Sequence, residues 1–111
     1  MTLKEVAAMV AEIGLPYAYY AFPEGTEQPT PFICFYYPGS DDLAADNSNY
    51  ARINELTIEL YTDELRFDLM DTIETVLTAH ELTWTWSEAW IESERMHMVT
   101  YQTEVLINGE S

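Results

Sequence analysis

"INELTIELYTDELRFDLMDTIETVL", Ile53 to Leu77, changes its hydrophobic period part-way along, and that change decides the fold. In the first part Leu56, Ile58 and Leu60 fall on one face of an extended chain, with Glu55, Thr57 and Glu59 on the other. Strict alternation of this kind marks a half-buried strand. From Thr62 the apolar residues recur at helical spacing, and Leu65, Leu69, Ile73, Val76 and Leu77 form one stripe. Thr62 or Asp63 can cap this helix, Asp63 and Glu64 suit the positive end of its dipole, and it should end near His80.

Upstream, "TLKEVAAMVAEIGLP" reads as a helix with both ends marked. Thr2 and Glu5 have the spacing of a capping box, and Leu3, Val6, Ala7, Val10 and Ile13 share a face. Gly14 suits the left-handed position after a helix, and Pro16 prevents its continuation. "YAYYAF", Tyr17 to Phe22, reads as a strand, "PEGTEQPTP" as a loop, and "FICFYY", Phe32 to Tyr37, as a strand apolar on both faces. Pro38 to Asn49 is a long acidic loop. Downstream, "TWTWSEAWIES" and "HMVTYQTEVLI" read as two strands joined by a tight turn around Glu94 to Met96, with Val99, Tyr101, Thr103, Val105 and Ile107 sharing a face. The expected fold is α+β: helix, three strands, helix, two strands, in a mostly antiparallel sheet with two helices packed on one face. No repeat or linker divides residues 1–111, so one domain is expected.

Composition narrows the function. Twenty acids face four bases, a formal charge of −16. Such a surface repels phosphate, which argues against ordinary nucleic-acid binding and against anionic membranes. The charge fits solubility, a surface past which DNA must slide without adhering, or mimicry of a phosphate row. The single Cys34, inside an apolar run, excludes an internal disulfide and a cysteine metal cluster. No apolar stretch reaches the roughly 20 residues of a membrane span. "MTLKEV" lacks the features of a signal peptide, so a cytoplasmic location is expected.

The chain carries no catalytic signature. His80 and His97 have no metal-ligand spacing, and Asp41, Asp42 and Asp46 lack the order of a calcium loop. No nucleophile elbow or phosphate-cradling glycine loop is present. Neither an enzyme, a cofactor nor a resident metal is expected. The acidic loop with Asp41, Asp42 and Asp46 offers little to anchor it, and mobility is expected there.

All three tryptophans lie within "WTWSEAW". Pairing without interruption would put Trp84, Trp86 and Trp90 beside Glu88, on the face opposite Val99 and Tyr101. A β-bulge near Ser87 and Glu88 would instead bring Trp84 and Trp86 onto the core face, leaving Trp90 outside. Either register leaves an indole off the face that the helices cover. Trp84, Trp86 and Trp90, with Tyr36 and Tyr37, are therefore candidate contacts to a subunit or partner, since interfaces are enriched in Trp and Tyr.

"RINELTIELYTDE" leading into an acidic amphipathic helix, followed by "WIESERMHMVTYQTEVLI", resembles the small tail-completion or tail-terminator proteins of tailed phages and prophages, most strongly over Tyr50 to Ile107. The resemblance implies a structural role. Such proteins form a ring, commonly of six subunits, on the head-proximal end of the tail tube. The ring ends tube polymerisation and joins the tail to the head-closure or connector protein. Implied partners are thus other copies of the chain, the tube protein and the connector, with DNA passing through unbound. The implied location is the host cytoplasm during assembly, then the virion. The alternative reading of the charge is an acidic DNA mimic that inhibits a DNA-binding protein, in the manner of anti-restriction proteins.

Overall fold

The structure, a computed structural model, describes residues 1–39 and 52–107. Its elements are α1 (Leu3–Ala11), β1 (Tyr17–Tyr19), β2 (Phe32–Tyr36), β3 (Arg52–Thr62), α2 (Phe67–Ala79), β4 (Trp84–Ile91) and β5 (Met96–Ile107). The strands form a five-stranded sheet in the order β1-β2-β3-β5-β4.

α1 starts where its residues dictate. The Thr2 hydroxyl accepts from the Glu5 amide at 3.1 Å, and the Glu5 carboxylate accepts from the Thr2 amide at 2.8 Å. Two of the helix's otherwise unpaired donors are satisfied by this reciprocal pair. Gly14, at φ +87°, takes the left-handed conformation after the last turn at no steric cost. Val6, Met9, Val10 and Ile13 are buried, whereas Leu3 is exposed.

β3 carries the alternation of its sequence into the sheet. Leu56, Ile58 and Leu60 are fully buried, opposite Thr103, Tyr101 and Val99 of β5. On the other side of β3, Ile33 and Phe35 of β2 pair with Leu60 and Ile58 and are buried with them. The buried residues of both helices, including Met70, Ile73, Val76 and Leu77 of α2, share one core with this sheet face. Tyr101 joins the layers: it is wholly buried, and its hydroxyl donates to the Glu74 carboxylate of α2 at 2.8 Å.

The fold class expected from the sequence is corrected here. The sheet is mixed, not mostly antiparallel, because β1 runs parallel to β2. The reason lies in residues 20–31. They are about a dozen residues, long enough to cross over and re-enter the sheet in the same direction, which a tight turn cannot do. β1 is also shorter than "YAYYAF", since Tyr20 at φ 69° leaves the extended conformation.

α2 starts later than expected. Thr62 still belongs to β3, paired with His97, and Asp63 accepts from the Thr30 hydroxyl at 2.7 Å. The N-cap is Arg66, which makes no side-chain capping bond. Its guanidinium instead grips Asp68 of the first turn through two hydrogen bonds of 2.9 and 2.8 Å.

Candidate interaction surface

β4 is an outer strand of the sheet, and its pairing with β5 runs without a bulge. Trp84, Trp86, Glu88 and Trp90 lie opposite Thr103, Tyr101, Val99 and His97. Cross-strand partners share a face, so all three indoles lie on the helix-bearing face. Neither register considered from the sequence placed them so. The turn is the cause: it occupies Glu92 to Arg95, with Arg95 at φ 50°, and Ile91 pairs with Met96. A turn one residue longer or shorter, with the pairing shifted to match, reverses which side chains share the face of Val99.

The helices do not reach across all of β4. Trp84 is half-buried against the core. Trp86 and Trp90 remain 52% and 43% exposed. Trp90 is nevertheless held. Its indole N–H donates to Glu92 at 2.5 Å, its ring meets His97 edge-on at 5.0 Å, and the Arg95 guanidinium lies 5.6 Å from its centroid. His97 Nδ1 lies 2.7 Å from the Glu88 carboxylate.

The opposite edge is also aromatic. Tyr17 and Tyr19 of β1 lie beside Ile33 and Phe35, on the helix-bearing face, and are 42% and 54% exposed. Tyr37 packs against the core and against Tyr19, with ring centroids 6.0 Å apart. Tyr36 belongs to the other face: it pairs with Thr57, its hydroxyl donates to Glu59 at 3.0 Å, and its ring lies 5.4 Å from Tyr20. The two neighbouring tyrosines picked out from the sequence thus serve opposite sides of the sheet.

The helix-free face, where the sequence predicts at least one indole as a subunit contact, carries none. Tyr61 donates to the second oxygen of Glu59 at 2.7 Å and stacks on Phe32 at 4.8 Å. Cys34, the partner of Glu59, is buried beneath, where burial and then the Glu59 charge push its thiol pKa up. Farther along, Glu55 lies directly opposite Glu104, and Gln102 extends the polar surface beside the buried Thr57. Opposed like charges destabilise a sheet, so stability does not account for this pair. The signal was present in the polar half of the β3 alternation, which reads equally well as ordinary solvated surface.

The Tyr36 phenol is pushed upward by burial and then by its hydrogen bond to Glu59, and Tyr37, Tyr61 and Tyr101 are shifted the same way. Burial, and then the neighbouring Tyr19, push Tyr37 from 10.0 up to about 12. Burial first, then hydrogen bonds to Glu59 and Glu74, push Tyr61 and Tyr101 upward. A native pKa above the unfolded value contributes stability that is complete below the unfolded pKa and is lost as pH rises through the native one. For Tyr37 that window runs from 10.0 to about 12. Denaturant midpoints are expected to fall across it, with the tyrosinate absorbance of these side chains appearing together with unfolding. A midpoint that stays level through the window would show that the phenols are not held in this way.

No protein-family model matches the chain, and no curated protein matches it. Its fold, however, is shared with a solved structure. A chain from the virion of a native gene transfer agent (GTA) particle superposes with a TM-score of 0.58 at 15% identity, over 96% of this chain and 89% of that one. At this identity the likeness is one of fold.

Asp41, Asp42 and Asp46, the acidic loop expected to be mobile, lie outside the described residues. Among the described residues, no three His, Cys, Asp or Glu side chains come together as a set that could hold a metal ion. Among them, too, no helix is long and apolar enough to cross a membrane.

Proposed function

We propose that the chain is a structural virion protein that caps the head-proximal end of a phage-type tail tube as a ring, ends tube growth and joins the tail to the head connector. The observation that carries this reading is the extent of the shared fold: nearly the whole of this chain and of a virion chain superpose, leaving little of either outside the common domain. The exposed aromatics at both sheet edges support it, because they supply two separate contact surfaces on one subunit. The helix-free face supports it as well. Its opposed Glu55 and Glu104 would repel a passing phosphate backbone, which suits a channel wall for DNA that must slide.

The test is assembly with a polymerising tail-tube protein. Added chain is expected to shorten the tubes, to sit at one end of each by electron microscopy, and to form rings at high concentration. A chain that stays monomeric and leaves tube length unchanged would refute the proposal.

A further inference from the structure

We propose, building on the ring reading, that subunits join head to tail by continuing the sheet: the outer edge of β4 in one copy pairs antiparallel with the outer edge of β1 in the next. Among the described residues, no strand pairs with the outer side of β1 or of β4, and of the outer β1 groups only the Tyr19 carbonyl is engaged, by the Ala21 amide at 2.8 Å. Unpaired N–H and C=O groups along an edge are a ready template for another strand.

The side chains make the two edges complementary. One row across the sheet runs Trp86, Tyr101, Ile58, Phe35, Tyr19 through successive cross-strand partners. Its interior is closed: Tyr101 and Ile58 are 0% exposed and Phe35 is 5% exposed. Its ends are open, with Trp86 at 52% and Tyr19 at 54%. Both ends point to the helix-bearing face. Joining β4 to β1 therefore sets Trp86 of one copy beside Tyr19 of the next and covers both rings in one contact. Aromatic pairs across neighbouring strands are among the more stabilising sheet contacts.

Charge selects the same place. A chain of net charge −16 repels its own copies. Yet β1 has no charged residue, and β4 has only Glu88. Natural edge strands are usually blunted by charge, proline or a bulge; β4 has one carboxylate, no proline and an unbroken register. Strand direction agrees too. β1 runs with β2 and against β3, while β4 runs with β3, so a rotation about an axis along the strands brings the two edges together antiparallel. The two edges are different surfaces, so the contact is heterologous, the type that forms a ring when the rotation between subunits closes. A β4-to-β4 contact would stop at two copies and leave Tyr19 uncovered.

Cysteine cross-linking tests this in the full chain with Cys34→Ala. Ala18→Cys is placed on one set of chains and Thr85→Cys, Ser87→Cys or Ala89→Cys on another. Ser87 stands level with Ala18 through Thr100, Glu59 and Cys34, and its neighbours at 85 and 89 allow a register shifted along the strand. Mild oxidation of the mixture is expected to link β1 variants to β4 variants several-fold more than either to itself. Should the Cys34→Ala background not fold, Tyr19→Lys in the otherwise unchanged chain serves instead, with an expected loss of ring assembly of tenfold or more and an unchanged monomer. Rings that form without the mixed link, β4 variants that link mainly to each other, or full assembly with Tyr19→Lys would overturn sheet continuation and leave the ring standing. A chain that never self-associates, alone or on tube ends, would overturn both.

Discussion

Trp86→Ala is expected to leave the monomer folded and to abolish ring formation at concentrations where the unchanged chain assembles. Trp86 lies on an outer strand and is 52% exposed, so its removal leaves no closed cavity. The monomer loses mainly its cross-strand contact with Tyr101, an interaction of about 0.2–1 kcal/mol. A Trp that anchors a partner typically contributes about 2 kcal/mol or more to association. That is roughly a 30-fold weakening at each contact, and a ring repeats the contact at every subunit. Trp90→Ala should weaken assembly less, because the Trp90 ring is already engaged by Glu92, His97 and Arg95 of its own hairpin. Unfolding of the monomer and sedimentation of assembled material separate the two effects. A Trp86→Ala chain that is badly destabilised, yet assembles normally in its folded fraction, would make Trp86 a core residue.

Tyr101→Ala should do the reverse and unfold the monomer. Tyr101 has no exposed surface; it stands between Ile58 of β3 and Trp86 of β4, and α2 closes over it. Truncating a buried aromatic side chain costs about 3–5 kcal/mol, because the site collapses only in part. Much of the stability of a domain this small is at stake. Tyr101→Phe keeps the ring and removes the hydroxyl's bond to the Glu74 carboxylate and its longer contact to the Met70 carbonyl, so about 1.5–3 kcal/mol is expected from the lost charge-assisted hydrogen bond. Denaturant midpoints for the two variants, read at an unchanged slope, give both numbers. A cost below about 1 kcal/mol for Tyr101→Ala would mean that α2 does not seal this part of the sheet.

Some of this was legible in the residues. The period change at Thr62 separates β3 from α2 because alternation and helical spacing are local properties of a sequence. The capping pair Thr2 and Glu5 is local in the same way. What was not legible depends on connections. No residue of "YAY" states which way β1 runs beside β2; that is decided by where the crossover of residues 20–31 returns the chain. The end of β1 was hidden because "YAYYAF" remains aromatic past Tyr20, where the backbone has already turned. The sequence starts α2 too early because Thr62 and Asp63 have capping chemistry, whereas Thr62 is paired in β3 and the Asp63 carboxylate accepts from Thr30. For the candidate surface, the residue types were informative and the sides were not. Trp86 and Trp90 are exposed, but on the helix-bearing face and beyond the reach of α2, a combination visible only once the width of the helix layer is known.

The turn at Glu92 to Arg95 also governs what the molecule presents to its surroundings. Its length fixes the parity of every pairing between β4 and β5. Removing or adding one residue there, with β5 kept in place, would carry all three indoles to the acidic side of the sheet and bring Thr85, Ser87, Ala89 and Ile91 to the other. Composition, charge and strand content would hardly change, while the adhesive and repellent sides of the domain exchanged places along β4. Loops are ordinarily where a lineage tolerates insertions and deletions. This one acts as a length gauge for the side that β4 presents.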